Sequence, residues 1–163
     1  MQKTSTFSFI ITLIMLSFFA TAQPVAKPVA INADTTKGKL KLTASFGAYT
    51  NGSKAFAADL KRLLNANPQL KLKDDKGVFY NVISFEITWK KKDVSDDIRS
   101  GKQKTVYYYV GGNIKGNVLT DSWKEEIKGF VQKDEEITFG TILYFDAKKK
   151  VNVKGPSLVL TIL

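Results

Sequence analysis

"VFYNVISFEITWK" (residues 78–90) is the stretch on which the fold turns. Ile83, Phe85, Ile87 and Trp89 occupy alternate positions, with Ser84, Glu86 and Thr88 between them. A period of two specifies a strand, and so apolar a face needs a core to lie against.

Upstream, "KLKLTAS" (39–45) alternates with Leu40 and Leu42 on one face, and "LKLK" (70–73) repeats the pattern before a "DDKG" turn (74–77). Between them the period changes. In "SKAFAADLKRLLNANP" (53–68), Phe56, Leu60, Leu63 and Leu64 fall on one helical stripe. Ser53 is the expected cap, and residues 65–68 supply the stop. The segment is short and lacks an aromatic belt, so a core-covering helix is expected rather than a membrane-surface one.

Downstream, "KKDVSDDIRSGKQ" (91–103) reads as a polar loop. Its Asp93, Asp96 and Asp97 lack the alternate ligand positions, central glycine and closing glutamate of a calcium-binding EF-hand loop. "TVYYYV" (105–110) reads as a strand that sends Tyr107 and Tyr109 to one face and Tyr108 to the other. Sheet packing is the ordinary role for such tyrosines. The alternative is a stacking platform for a ring-shaped ligand, carried by Tyr107 and Tyr109.

The acid-rich stretch "LTDSWKEEIKGFVQKDEEITFGTILYFDA" (119–147) is the one place where carboxylate chemistry could be sought. Trp123, Ile127 and Phe130 follow a helical spacing. Ser122 and Glu125 match a capping box, and Gly129 is a plausible breaker. Residues 132–136 form a turn, Ile137 and Phe139 begin a strand, and Gly140 marks a bulge or a close backbone approach. Acid–base catalysis needs two carboxylates converging on a cleft. Here the acids fall at a cap, on an exposed helix face and in a turn, so a structural corner is expected. The closing "VNVKGPSLVLTIL" (151–163) is a strand with Leu158, Leu160 and Ile162 on one face, apolar enough to be central. With about seven strand-like runs and two short helices, the chain is expected to be mainly β, an antiparallel β-sandwich with helical inserts.

Composition narrows the chemistry. The 163 residues include no histidine and no cysteine, which removes the commonest general base, metal ligand and thiol nucleophile. No S-x-x-K, G-x-S-x-G or phosphate-loop pattern is present. The expectation is therefore a non-enzyme without metal or other cofactor. The start, "MQKTSTFSFIITLIMLSFFATAQ", combines Lys3, an apolar run and Ala20-Thr21-Ala22. It reads as a cleaved export signal over residues 1–22, followed by an extended linker at 23–38 and one domain at 39–163. No membrane span is expected to remain after processing. Cleavage removes one cation, Lys3, and no acid, so the net charge of +10 becomes +9. Export argues against nucleic acid, and the scattered lysines suit sheet edges and turns.

The order of segments resembles the C-terminal domain of the GldM/PorM family, periplasmic components of the type IX secretion and gliding machinery of Bacteroidetes. Val82-Ile83-Ser84-Phe85, Gly116-Asn117-Val118-Leu119-Thr120, the trio Ile137, Phe139 and Ile142, and Lys154-Gly155-Pro156 carry the likeness over about residues 39–163. "KDEE" stands where that family tends to have a Gly-Asp turn, and the Lys-Gly-Pro turn comes later. The resemblance implies an Ig-like sandwich in the periplasm that acts through envelope proteins and has no catalytic residues. Members of the family have a membrane helix and several stacked domains, so this chain is expected to serve as an accessory or free-standing adaptor, or as a paralogue with another job. The alternative expectation is a glycan- or cell-wall-binding module, with stacking by Tyr107 and Tyr109 and an anionic cell-wall polymer on the basic surface. Secretion beyond the outer membrane is the alternative to periplasmic residence.

Overall fold

The computed structural model describes residues 40–96 and 102–163. The expected signal at 1–22 and linker at 23–38 lie outside the described residues, as does Asp97. The elements run in the order β1 (Leu42–Phe46), β2 (Tyr49–Thr50), β3 (Ser53–Ala55), α1 (Ala57–Asn65), β4 (Leu70–Asp74) and β5 (Phe79–Tyr80). Then come β6 (Val82–Asp96), β7 (Gln103–Lys115), α2 (Asp121–Phe130), β8 (Glu136–Asp146), β9 (Val151–Lys154) and β10 (Leu158–Ile162). One sheet has the strand order β2-β1-β4-β5, the other β3-β10-β8-β6-β7 with β9 also on β8. They pack as a mainly β sandwich with two short helices. Every strand pair is antiparallel except β3 with β10, which is parallel. That pair departs from the all-antiparallel expectation. The chain can reach a parallel register there because α1 and the following strands intervene between the partners.

The core follows the alternation. Ala44, Phe46, Leu70 and Leu72 of the first sheet face Phe85, Ile87, Trp89, Ile137 and Phe139 of the second, all buried. The Phe46 and Phe139 rings lie 4.7 Å apart across the interface, and Leu158, Leu160 and Ile162 extend the layer. Each fully buried side chain of this size contributes about 1.5–3 kcal/mol relative to exposure.

Two irregularities shift the faces. The β6–β8 register slips between Val82 and Ser84, and Val82 is buried while Ile83 is only half-buried. Ile83 therefore does not share the face of Phe85, because the extra residue of the bulge turns it away. In β8 the buried set passes from Ile137 and Phe139 to Ile142 and Tyr144. The slip falls at Gly140 and Thr141, where the strand passes from pairing with β10 to pairing with β9.

Local expectations at strand and helix ends also move. Leu40 precedes β1 and is exposed, so Phe46 becomes its large core residue. Ser53 lies in β3, not at a cap; α1 begins after Phe56, which is exposed, leaving Leu60 and Leu64 as the buried stripe. In α2 the cap is Thr120, whose hydroxyl accepts from the Trp123 N–H, and Glu125 pairs with Lys128 instead of closing a capping box. The helix continues through Gly129, and Phe130 is exposed.

Candidate interaction site

In the segment expected to be a polar loop, residues 91–96 and Gln103 are strand. β6 pairs with β8 only as far as Lys90, opposite Glu136, yet it pairs with β7 without interruption to Asp96, opposite Gln103. Beyond Lys90 the two strands leave the sheet as a two-stranded ribbon. Past its root this extension is exposed on both faces, at residues 93–96 and 103–105, so it carries no apolar alternation for a sequence reading to detect. Asp93 lies in the ribbon and accepts from the Val94 N–H, and Asp96 is the last paired residue of β6.

Register sets the ribbon's chemistry. Lys90 stands opposite Tyr109, Lys92 opposite Tyr107 and Val94 opposite Thr105, all on one face. Lys91 and Tyr108 share the other face, which continues that of Trp89. Tyr107 and Tyr109 thus lie together as expected, about 7 Å apart along the strand. They are exposed at 41% and 68%. The Lys90 ammonium sits 4.5 Å from the centre of the Tyr107 ring, a cation–π distance. The structure brings two exposed rings and an ammonium together on one surface.

The ribbon's root is fixed. Lys91 reaches 4.4 Å from the Trp89 ring, 5.1 Å from Phe130 and 5.8 Å from Tyr108, and pairs with Glu126 at 3.2 Å. Lys92 donates to Asp134 at 3.1 Å. That hydrogen bond holds its pKa above the usual lysine value, against a smaller opposing effect of burial. The Glu135 carboxylate is buried and accepts from the Trp89 indole, the Lys92 N–H and the Gln132 N–H at 2.8–2.9 Å. These contacts tie the base of the ribbon to the connection between α2 and β8.

Four of the acids of residues 119–147 sit in ion pairs. Asp121 pairs with Lys124, Glu125 with Lys128, Glu126 with Lys91 and Asp134 with Lys92. Glu135, expected in a turn, instead holds the buried root of the ribbon. The signal was available in Trp89, since an indole N–H on an inward face requires an acceptor. Away from the ribbon, a shallow groove of about 250 Å³ is lined by residues that include Gln69, Lys71, Phe79, Tyr80 and Asn117.

No helix among the described residues is long and apolar enough to cross a membrane. No protein-family model matches the chain, and no curated protein or solved structure matches it either.

Proposed function

We propose that this chain is an exported, non-enzymatic protein-interaction module whose binding element is the β6–β7 ribbon. The observation that carries the reading is β7 itself, 13 residues long and the outermost strand of its sheet. An edge of that length offers a row of backbone donors and acceptors to another chain. The absence of histidine and cysteine supports a role without catalysis. The resemblance to the GldM/PorM C-terminal domain supports a periplasmic partner, with this chain as an accessory of secretion or gliding.

The test is site-specific photo-crosslinking of the full chain in its source organism. A photoreactive residue at Tyr109 is expected to capture a defined envelope protein, and one at the exposed Phe56 is not. Equal capture from both positions, or none from either, overturns the reading.

The proximity of Lys90 to Tyr107, beside Tyr109, favours one second reading, a glycan-binding module for an anionic wall polymer. It predicts that Tyr107→Ala with Tyr109→Ala abolishes retention on peptidoglycan while the protein stays folded. Unchanged retention rejects it.

A further inference from the structure

The margins of the two sheets are not alike. β2 and β5 have 2 residues each, β3 has 3 and β9 has 4. Shortness is a common protection against unwanted strand pairing. β7 has none of the usual protections along its middle. Its ladder with β6 is in continuous register from Lys115 to Gln103, with no bulge. Residues 105–114, "TVYYYVGGNI", contain no proline and no charge, and their first half consists of strong strand formers. Among the described residues no third strand pairs with β7, and its backbone makes no hydrogen bond to a turn, loop or cap.

Charge is distributed to match. β7 carries Lys104 near one end and Lys115 at the other, and no acid. Across the ladder Lys90 stands opposite Tyr109, and Glu86, Asp93 and Asp96 stand opposite Asn113, Val106 and Gln103, so the excess of cations at the edge is that of β7 itself. A second copy brings an identical cationic edge on a chain whose net charge, +10 in full, is +9 after the proposed cleavage, which disfavours self-pairing. An acidic chain meets the opposite field.

We infer that β7 receives an extended, acidic segment of a partner protein as an added strand, with carboxylates on the face that carries Tyr107, Tyr109, Lys90 and Lys115 and apolar residues on the face of Tyr108. This rests on the protein-interaction reading and specifies its partner. Backbone pairing supplies the attachment, and side chains at alternate positions supply the selection.

The test uses the purified chain and a fluorescein-labelled peptide alternating glutamate and valine. Polarisation should report saturable binding that weakens with salt. N-methylation of the peptide at alternate residues, in the set that faces β7, should weaken binding by about tenfold or more, since it removes backbone donors and leaves every side chain in place. Replacing glutamate by lysine should do the same. Amide exchange in residues 105–111 should slow on binding. Absence of binding, or equal binding by the peptide N-methylated in either set, or by the lysine peptide, overturns the inference. So does protection of β7 by soluble polygalacturonate and not by the peptide, which favours the wall-polymer reading. If the peptide fails while Tyr109 still captures an envelope protein, strand addition is rejected and the interaction module stands.

Discussion

The indole N–H of Trp89 donates to a carboxylate oxygen of Glu135 at 2.9 Å, and the two residues are only 0% and 1% exposed. The same carboxylate accepts from the backbone of Lys92 and of Gln132. One side chain therefore satisfies three donors where β6 leaves the sandwich. Replacing Glu135 by alanine orphans them. A buried donor left unpaired costs about 1–3 kcal/mol, so Glu135→Ala should destabilise by about 2–4 kcal/mol in total. Glu135→Gln should fall between it and the native protein, because an amide offers one acceptor oxygen and sets its NH2 against a donor. Urea unfolding followed by tryptophan fluorescence checks this, with a lower midpoint and an unchanged slope expected.

Asp74 contributes to the acid limb of stability. Burial alone would raise its pKa, but the Val78 N–H, the Tyr80 hydroxyl, the Lys76 N–H and the Lys76 charge together hold it below 3.8. The unfolded chain thus takes up this proton at higher pH than the folded one. The contribution is complete above about pH 4 and is lost as pH falls through the lower folded value. Asp74→Asn should be less stable than the native protein at neutral pH and lose less on acidification. Thermal melts across the acid range will show parallel curves if this contact is immaterial.

Gly47 and Gly52 separate two costs of adding a methyl group. Both have positive φ, +60° and +78°, but a Cβ at Gly47 meets Leu63 Cδ1 at 2.6 Å and one at Gly52 meets open space. Gly52→Ala should cost about 1 kcal/mol from backbone conformation alone. Gly47→Ala should cost about 2–3 kcal/mol, because the half-buried Leu63 must move. In a double-mutant cycle, Leu63→Ala should recover part of the Gly47→Ala penalty. Equal penalties at the two glycines contradict the contact.

Thr141 holds φ at +41°, an unfavourable region for a β-branched residue, at the slip in β8. Its hydroxyl donates to Glu86 at an exposed site, a bond of small net value. Thr141→Gly should therefore stabilise the protein by about 0.5–1 kcal/mol, a rare sign for a strand residue. A lower melting temperature for this variant indicates that chain entropy outweighs the relief of strain.

Much of the sandwich was legible. Phe85, Ile87 and Trp89, and Leu158, Leu160 and Ile162, are buried as their alternation required, and the break at Gly140 coincides with the slip in β8. Tyr107 and Tyr109 share a face because adjacent strand residues must alternate. The misses have local causes. A serine at the right spacing is only one of several possible caps, and Thr120 took the position expected for Ser122. A bulge adds one residue and reverses a face, so Ile83 and Val82 exchanged roles. The ribbon was hidden because a strand wetted on both sides has no apolar period.

The sequence by itself determined the β class, the inward residues Phe85, Ile87 and Trp89 of β6 and those of β10, the two helices, and a chemistry without imidazole or thiol. Those properties are local, set by spacing and residue type. Only the tertiary structure decided that β7 is an open edge, that Lys90 stands beside Tyr107, and that Glu135 lies beneath Trp89. Each depends on register between segments far apart in the chain. Spacing along one strand cannot encode which strand pairs beside it, or where that pairing ends.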